Sequence, residues 1–410
     1  MLSPEDRLAL SEDRAQAFAG NQEHDAAIQE LARCVALTRL VYGDGHWRLA
    51  EAHARLAQGY LQLKGLALQA QEHTEKARTV AVSSPLGPPD GAEKQGLLKC
   101  LITIFHTKGG AAQQLGNLKD AEHCLERAER IVGELQKLEG VSREETASAE
   151  CDIAMSFARL YQKQGQWAEA LCQCERALRV AEDRAACSVH REMAAIEQAE
   201  GRLDRAIQHL LQAHSMALSQ CPAGGLEGAH IAHSLALAYS TAGEPGYNDS
   251  AVQFFEESLS GYRSSLKPQD PTVLSVQDDY CRYLILSGNQ ERAVTLLKES
   301  LPLKKVTFGE LSVEVAETYQ ILGGVEMAQC HVRRAYKTLK KCLEIQSLLL
   351  GPQHRKTRST QRTVDKLARA LEVGGRRQNT GSLRDRPPFC AVVPSHTELG
   401  GAKVTDHGLD

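Results

Sequence analysis

Aromatic side chains are scarce in this chain, only 5% of its 410 residues, so alanine and leucine must do most of the packing. That composition points away from a β-sandwich or barrel core and toward slim helices. No apolar run of about 18 residues occurs, and a membrane-spanning helix is not expected. The opening MLSPEDRLALSEDR has acidic residues where a secretory signal needs a positive end and an apolar stretch, so it does not read as a leader. There is no long Lys/Arg block and no basic strand interleaved with aromatics, and with a formal net charge of -4 and a pI near 6.4 the chain has no long-range attraction for nucleic acid. None of the twelve cysteines forms a CxxC. They are expected to be reduced cytosolic thiols filling small apolar sites rather than zinc ligands or disulfides. A Gly-rich phosphate loop after a strand, an HExxH helix and a strand-to-helix nucleophile turn are also missing, so neither an enzyme nor a cofactor or metal site is expected.

What the chain does have is a recurring pattern. In CDIAMSFARLYQKQGQWAEALCQCERALRV, Cys151 to Val180, the positions Phe157, Ala158, Tyr161, Gly165, Ala170, Cys174 and Ala177 have the spacing of a tetratricopeptide repeat. Two antiparallel helices meet at Ala158, Ala170 and Ala177, where the absence of bulk lets the backbones approach, and turn at Gly165. A single helix pair cannot bury its apolar face, so neighbours of the same kind are required. They are there: Ala27 and Cys34, Ala70 and Ala77, Ala121 and Ala128, Ala206 and Ala213, Ala251 and Ser258, Ala293 and Ser300, and Ala335 and Cys342 repeat the pattern. From Ala251 through Ala293 to Ala335 the period is 42 residues, about two helical turns beyond the usual 34 or so, which predicts longer helices.

The expected architecture is therefore all-α: a superhelical tetratricopeptide-repeat solenoid of about eight helix pairs over residues 1–372, closed by a C-terminal cap helix on TRSTQRTVDKLARALEV. A proline-rich linker or loop is expected near 83–95, at SSPLGPPDGAEK. Gly43 is expected to end the first pair in a left-handed cap. GEPGYNDS reads as a surface insertion in the sixth turn, and Cys330 stands where the eighth turn calls for glycine. Residues 373–410 lack periodicity and read as a disordered tail, with Phe389 to Val393 as its one apolar patch.

Function is then expected on the faces of the outgoing helices, at positions not consumed by packing. The register selects Met155, Arg159, Gln162, Lys163 and Arg191 in the fourth and fifth pairs, and His233, Asp278, Arg282 and Gln320 farther along, as a candidate partner-binding groove. His230 and His233 share a helix face but make an incomplete zinc set, and Cys172 and Cys174 point in different directions. Repeats that grip a peptide's terminal carboxylate use several basic and asparagine side chains on adjacent outgoing helices. Here Ala54, Gln58, His106 and Gly110 occupy those places, which disfavours a peptide-binding co-chaperone and favours an internal peptide or another folded protein.

The linkers YGDGH and GPQHR resemble those of kinesin light chains, which leaves a microtubule-linked or motor-linked cargo adaptor as an alternative. A closer resemblance is to the tetratricopeptide repeat protein 23 family and its like-named paralogue. It is carried by RCVALTRLVYGDGHWRLAEAHARLAQGYLQLKG (Arg33 to Gly65), VEVAETYQILGG (Val313 to Gly324) and KKCLEIQSLLLGPQ (Lys340 to Gln353), and it extends to about residue 372. The resemblance implies a non-enzymatic scaffold in the cytoplasm, at the primary cilium or its base or at the centrosome. It also implies a link to Hedgehog signalling, with components of the Ellis-van Creveld zone as candidate partners. It transfers no catalytic residue and no assigned contact.

Overall fold

Residues 3–83, 91–138, 140–221 and 225–377 are described by a computed structural model. Among them are seventeen α-helices, ordered as eight antiparallel pairs and a last single helix. The chain divides into two compact units, Met1–Pro222 and Ala223–Asp410. The first unit holds α1 (Pro4–Gly20) with α2 (His24–Tyr42), α3 (Trp47–Lys64) with α4 (Ala67–Ser83), α5 (Gly91–Gln114) with α6 (Leu118–Leu135), α7 (Arg143–Lys163) with α8 (Trp167–Leu178), and α9 (Asp183–Ala199) with α10 (Leu203–Gln220). The second holds α11 (Leu226–Ala242) with α12 (Asn248–Ser265), α13 (Pro271–Leu286) with α14 (Gln290–Phe308), α15 (Val313–Ala328) with α16 (Val332–Leu349), and α17 (Arg355–Arg377). Within each unit the return helix of one pair packs on the outgoing helix of the next, so the core runs along the stack.

The repeating small residues explain that stack. Ala27, Ala70, Ala121, Ala170 and Ala206 in the first unit, and Ala251, Ala293 and Ala335 in the second, are all fully buried. Seven residues further on, Cys34, Ala77, Ala128, Ala177, Ala213, Ser258, Ser300 and Cys342 are buried too. Seven residues are about two turns, so each pair of positions forms one contact line on its helix. The serines stay satisfied: Ser258 Oγ donates to the Ala229 carbonyl at 2.8 Å and Ser300 Oγ to that of Leu297 at 3.1 Å. Where a larger filler is tolerated, the aromatics gather, as in Phe255 stacked on Tyr280 with ring centroids 5.1 Å apart.

The turns within pairs follow from helix capping. The amides of Glu23, Asn117, Gln166, Arg202 and His331 each reach back five residues, to the carbonyls of Phe18, Ala112, Tyr161, Glu197 and Glu326, at 2.8–2.9 Å. This closure needs a left-handed residue just before the reaching amide. Glycine fills that place at Gly116, Gly165 and Gly201, whereas Gln22 (φ +63°) and Cys330 (φ +60°) adopt it despite their Cβ atoms. Cys330 thus takes the same turn as the glycines. Gly43 corrects the expected left-handed cap: its φ of +85° and ψ of 177°, like Gly309 at +91° and 156°, lie in an extended region open essentially to glycine alone.

Other expectations shift at the edges. Helix α5 begins at Gly91, inside the expected 83–95 linker, while residues 84–90 lie outside the described residues. The GEPGYNDS insertion contains a short 3-10 turn, Pro245–Tyr247, and Tyr247 packs edge-on against Tyr239, with centroids 5.0 Å apart. Helix α17 covers the last pair, with Val364 and Leu367 joining Ala335 and Leu339 in one apolar cluster, and runs to Arg377. The 378–410 stretch, Phe389 to Val393 included, lies outside the described residues. Ten described cysteines are free thiols, most of them buried.

Candidate partner-binding faces

In the first unit, α7 presents Arg159, Gln162 and Lys163 within one turn of each other, Gln162 half-buried and the two cations exposed. Arg159 Nε donates to Glu192 Oε2 on α9 at 3.1 Å, and Lys163 Nζ donates to the Gln113 carbonyl on α5 at 3.1 Å. His106 Nε2 and Ser156 Oγ, 2.8 Å apart, tie α5 to α7 alongside them. Arg191 is half-buried on α9, next to Glu192. The exposed Arg159–Glu192 pair contributes little stability; together these contacts hold side chains in place across neighbouring helices. Met155 is placed differently. It is only 6% exposed and packs against Ala170, Cys174 and Met193, because its side of α7 faces α8 and α9 rather than solvent.

In the second unit a charged ladder runs across the outgoing helices. His233 Nε2 on α11 donates to Asp279 Oδ2 on α13 at 3.1 Å, and Arg282 Nη1 holds the other Asp279 oxygen at 3.0 Å. Arg282 Nη2 lies 4.0 Å from Glu317 on α15, which in turn accepts from Lys356 Nζ at the start of α17 at 3.4 Å. His233 and Arg282 are thus brought together through one carboxylate. Gln320, one turn beyond Glu317, accepts from Gln346 Nε2 on α16 at 3.0 Å. Asp278 leaves the group: it turns inward to Lys304 Nζ, 2.5 and 2.6 Å from its two oxygens, and Thr318 Oγ1 takes the remaining ammonium proton at 2.7 Å. Lys304 is 1% exposed. Burial pushes the Asp278 carboxyl above the usual carboxylate range, with the ammonium pulling the other way.

Two concave features fall outside the residues chosen from the sequence. A groove of about 1030 Å³ runs over α2 between α1 and α3. Arg55 crosses it, bonded to Glu12 at 2.9 Å and to Glu51 at 2.8 Å, and at one end the Arg48 guanidinium lies 4.7 Å over the Tyr42 ring. The second is a smaller pocket of about 240 Å³, where Val313 and Ala316 on α15 meet Leu349 at the end of α16, Leu350 just after it and Lys356 on α17. Glu317 belongs both to this pocket and to the ladder. The run Leu348-Leu349-Leu350 was the sequence signal for it. Three successive leucines at a helix end point in different directions and cannot all be buried, and all three are exposed, Leu348 at 70%.

The family model described as tetratricopeptide repeat matches residues 152–183, the segment built from α7 and α8. Human tetratricopeptide repeat protein 23 is 41% identical over 98% of this chain and 90% of its own length. The chain belongs to the tetratricopeptide repeat protein 23 family. Mouse tetratricopeptide repeat protein 23-like is 32% identical over 89% of this chain and 81% of its own. Among solved structures, a signal transduction ATPase with numerous domains from Pyrococcus horikoshii, which has a tetratricopeptide repeat sensor, matches 90% of this chain and 50% of its own. Its TM-score is 0.59 at 16% identity, a likeness of fold alone. The faces described above are thus those of a tetratricopeptide repeat protein, a class whose repeats generally mediate contacts between proteins.

Proposed function

We propose that this member of the tetratricopeptide repeat protein 23 family is a non-enzymatic scaffold that gathers other proteins at the primary cilium or its base, in Hedgehog signalling. Ellis-van Creveld zone components are its expected partners. The observation that carries the reading is the arrangement of the outgoing helices. In each unit their polar side chains are tied helix to helix by surface pairs, as between Arg159 and Glu192 and between His233, Asp279 and Arg282, and form a ready surface rather than a reacting group. The buried thiols support the same view. Burial pushes Cys100, Cys174, Cys281 and Cys342 up to about 12, which keeps them protonated and makes them packing groups. The ciliary placement is what the resemblance to this family implies, and it is brought to this chain by near-full-length membership.

Proximity labelling in ciliated cells, compared between the intact chain and Arg159→Glu and Arg282→Glu variants, tests this reading. The expected result is enrichment of ciliary-base proteins that falls in at least one variant. Absence from cilia and centrosomes, or retention on polymerised tubulin or motor complexes as the main association, would overturn it.

A further inference from the structure

The small net charge of the chain conceals a segregation. Helices α16 and α17 carry thirteen lysines and arginines against three carboxylates, so the remainder of the chain is net acidic. On α17 the cations are also in line. Arg355, Arg358, Arg362, Lys366 and Arg369 follow one another at intervals of three and four residues. At 100° per residue that keeps all five within about 80° of arc, spread over about 21 Å of helix. Val364 and Leu367, on the opposite side, pack with Ala335 and Leu339 of α16. The row is therefore turned away from the stack, and all five side chains are exposed.

This row costs the helix that bears it. Its neighbours are like charges three or four residues apart, an arrangement that destabilises a helix. Arg355, Lys356 and Arg358 also open α17 with no acidic residue in the first turn, where the peptide dipoles already present a positive end. Elsewhere cations are matched, as Arg159 is by Glu192 and Arg55 by Glu12 and Glu51. Among the described residues none of the five comes within 4.0 Å of a carboxylate. Lys356, beside them, takes Glu317, and Asp365, at the margin, accepts from Gln361 Nε2 at 2.8 Å. A cap needs only a polar outer face, which mixed charge would supply without repulsion. The unbalanced row calls for an anionic counterpart from outside.

Four of the five cations are arginines, whose planar forks take carboxylate or phosphate oxygens two at a time. The shape of the row decides between those sources. It is one helix face wide, bordered by Asp365 and Glu372, and the described side chains of α17 include no exposed large apolar group. A flat anionic bilayer would press on those carboxylates and find nothing to bury, and a nucleic acid would find no aromatic platform for its bases. A single acidic segment fits both width and length. We propose that the outer face of α17 docks a glutamate- or aspartate-rich segment of a partner protein, its carboxylates paired with Arg355, Arg358, Arg362, Lys366 and Arg369. The scaffold reading supplies only the source of that segment. Binding of an acidic peptide by the purified chain stands or falls without any ciliary association.

The test is calorimetric titration of the full chain, at low salt, with a capped peptide of alternating glutamate and glycine and with its glutamine counterpart. Two double variants are compared. Arg358→Glu with Lys366→Glu makes every neighbour in the row an opposite pair, and Arg333→Glu with Lys340→Glu on α16 changes net charge equally from exposed positions outside it. The acidic peptide is expected to bind, and more weakly as salt rises, while the glutamine peptide does not. Its affinity should fall about tenfold or more in the α17 variant, the scale of a few exposed ion pairs, and less than about threefold in the α16 variant. The α17 variant should unfold at the parent's temperature or above it, because the row now matches itself. No binding of the acidic peptide, or equal losses in the two variants, overturns the proposal. So does tighter row-dependent binding of phosphatidylserine vesicles or of an oligothymidylate than of the peptide. A lowered unfolding temperature in the α17 variant would make the row a structural device and overturn it too.

Discussion

Replacing Asp278 with asparagine probes the most tightly coupled polar group in the second unit. In the native state the Lys304 ammonium is 1% exposed and has three acceptors for its three protons: both Asp278 oxygens and Thr318 Oγ1. Asp278→Asn removes the countercharge and points an amide at the ammonium, leaving a desolvated cation. The expected cost is about 3–5 kcal/mol, the range for breaking a buried pair from one side. For a unit of this size that is a fall in Tm of roughly 6–20 °C. Lys304→Met should cost less, about 1–3 kcal/mol, because the Asp278 side chain keeps 21% exposure and can recover part of its hydration. The double variant should recover most of the loss, giving a coupling of about 2 kcal/mol or more between residues that touch. Urea unfolding of the four proteins measures the cycle, and hydrogen exchange of α13 to α15 localises it. A cost for Asp278→Asn under about 1 kcal/mol, or additive single effects, would refute the buried-pair reasoning.

Three further outcomes follow from the same structure. Burial, then the neighbouring His73, Lys76 and Arg39, bring the buried His53 down to about 4 from its ordinary 6.5. The folded state therefore refuses a proton that the unfolded chain accepts, so stability is full above pH 6.5 and falls toward pH 4. The loss nears 3 kcal/mol, about 1.4 per pH unit, and a urea titration at several pH values should find it reduced in His53→Gln. Gln22→Gly relieves a side chain held at φ +63° and should raise stability by about 1 kcal/mol in thermal unfolding, whereas Gly165→Ala, at φ +74°, should lower it by a similar amount. Gly323→Ala would set a Cβ 2.5 Å from Leu339 Cγ where α15 crosses α16; the expected loss is about 1–3 kcal/mol, and a neutral result would show that Leu339 can move aside.

How much of the fold the sequence reveals depends on which contacts repeat. Ala170, Ala206, Ala251, Ala293 and Ala335 lie on a helix–helix crossing that recurs in every pair, and a residue required eight times in the same place leaves a periodic trace. Turn geometry is less uniform. Gly165 and Gly201 are forced by a positive φ, but Gln22 and Cys330 show that the surrounding pair can impose that conformation without glycine. Gly43 and Gly165 are the same residue type serving different backbone regions, which composition alone does not separate. The 42-residue period of the second unit did translate into structure, since α13 to α16 run to 16–19 residues each.

The partner-binding faces were harder to read because helical register gives the direction of a side chain but not what comes to meet it. Arg159, His233, Arg282 and Gln320 are joined across helices by Glu192, Asp279, Glu317 and Gln346, each distant in the chain or on a different helix face. Asp278 and Asp279 show how fine the distinction is. Adjacent on α13, they differ by about 100° in direction, enough to send one to the buried Lys304 and the other to the half-buried His233 and the exposed Arg282. Met155 fails for the same reason: a one-position error on a helix packed from two sides turns a solvent-facing position into a core one. Leu348 to Leu350 carried the opposite kind of information, an apolar excess that intrahelical packing could not absorb. In a repeat protein, such departures from the periodic pattern are where a search for partner contacts should begin, because the residues that keep the period are already occupied with one another.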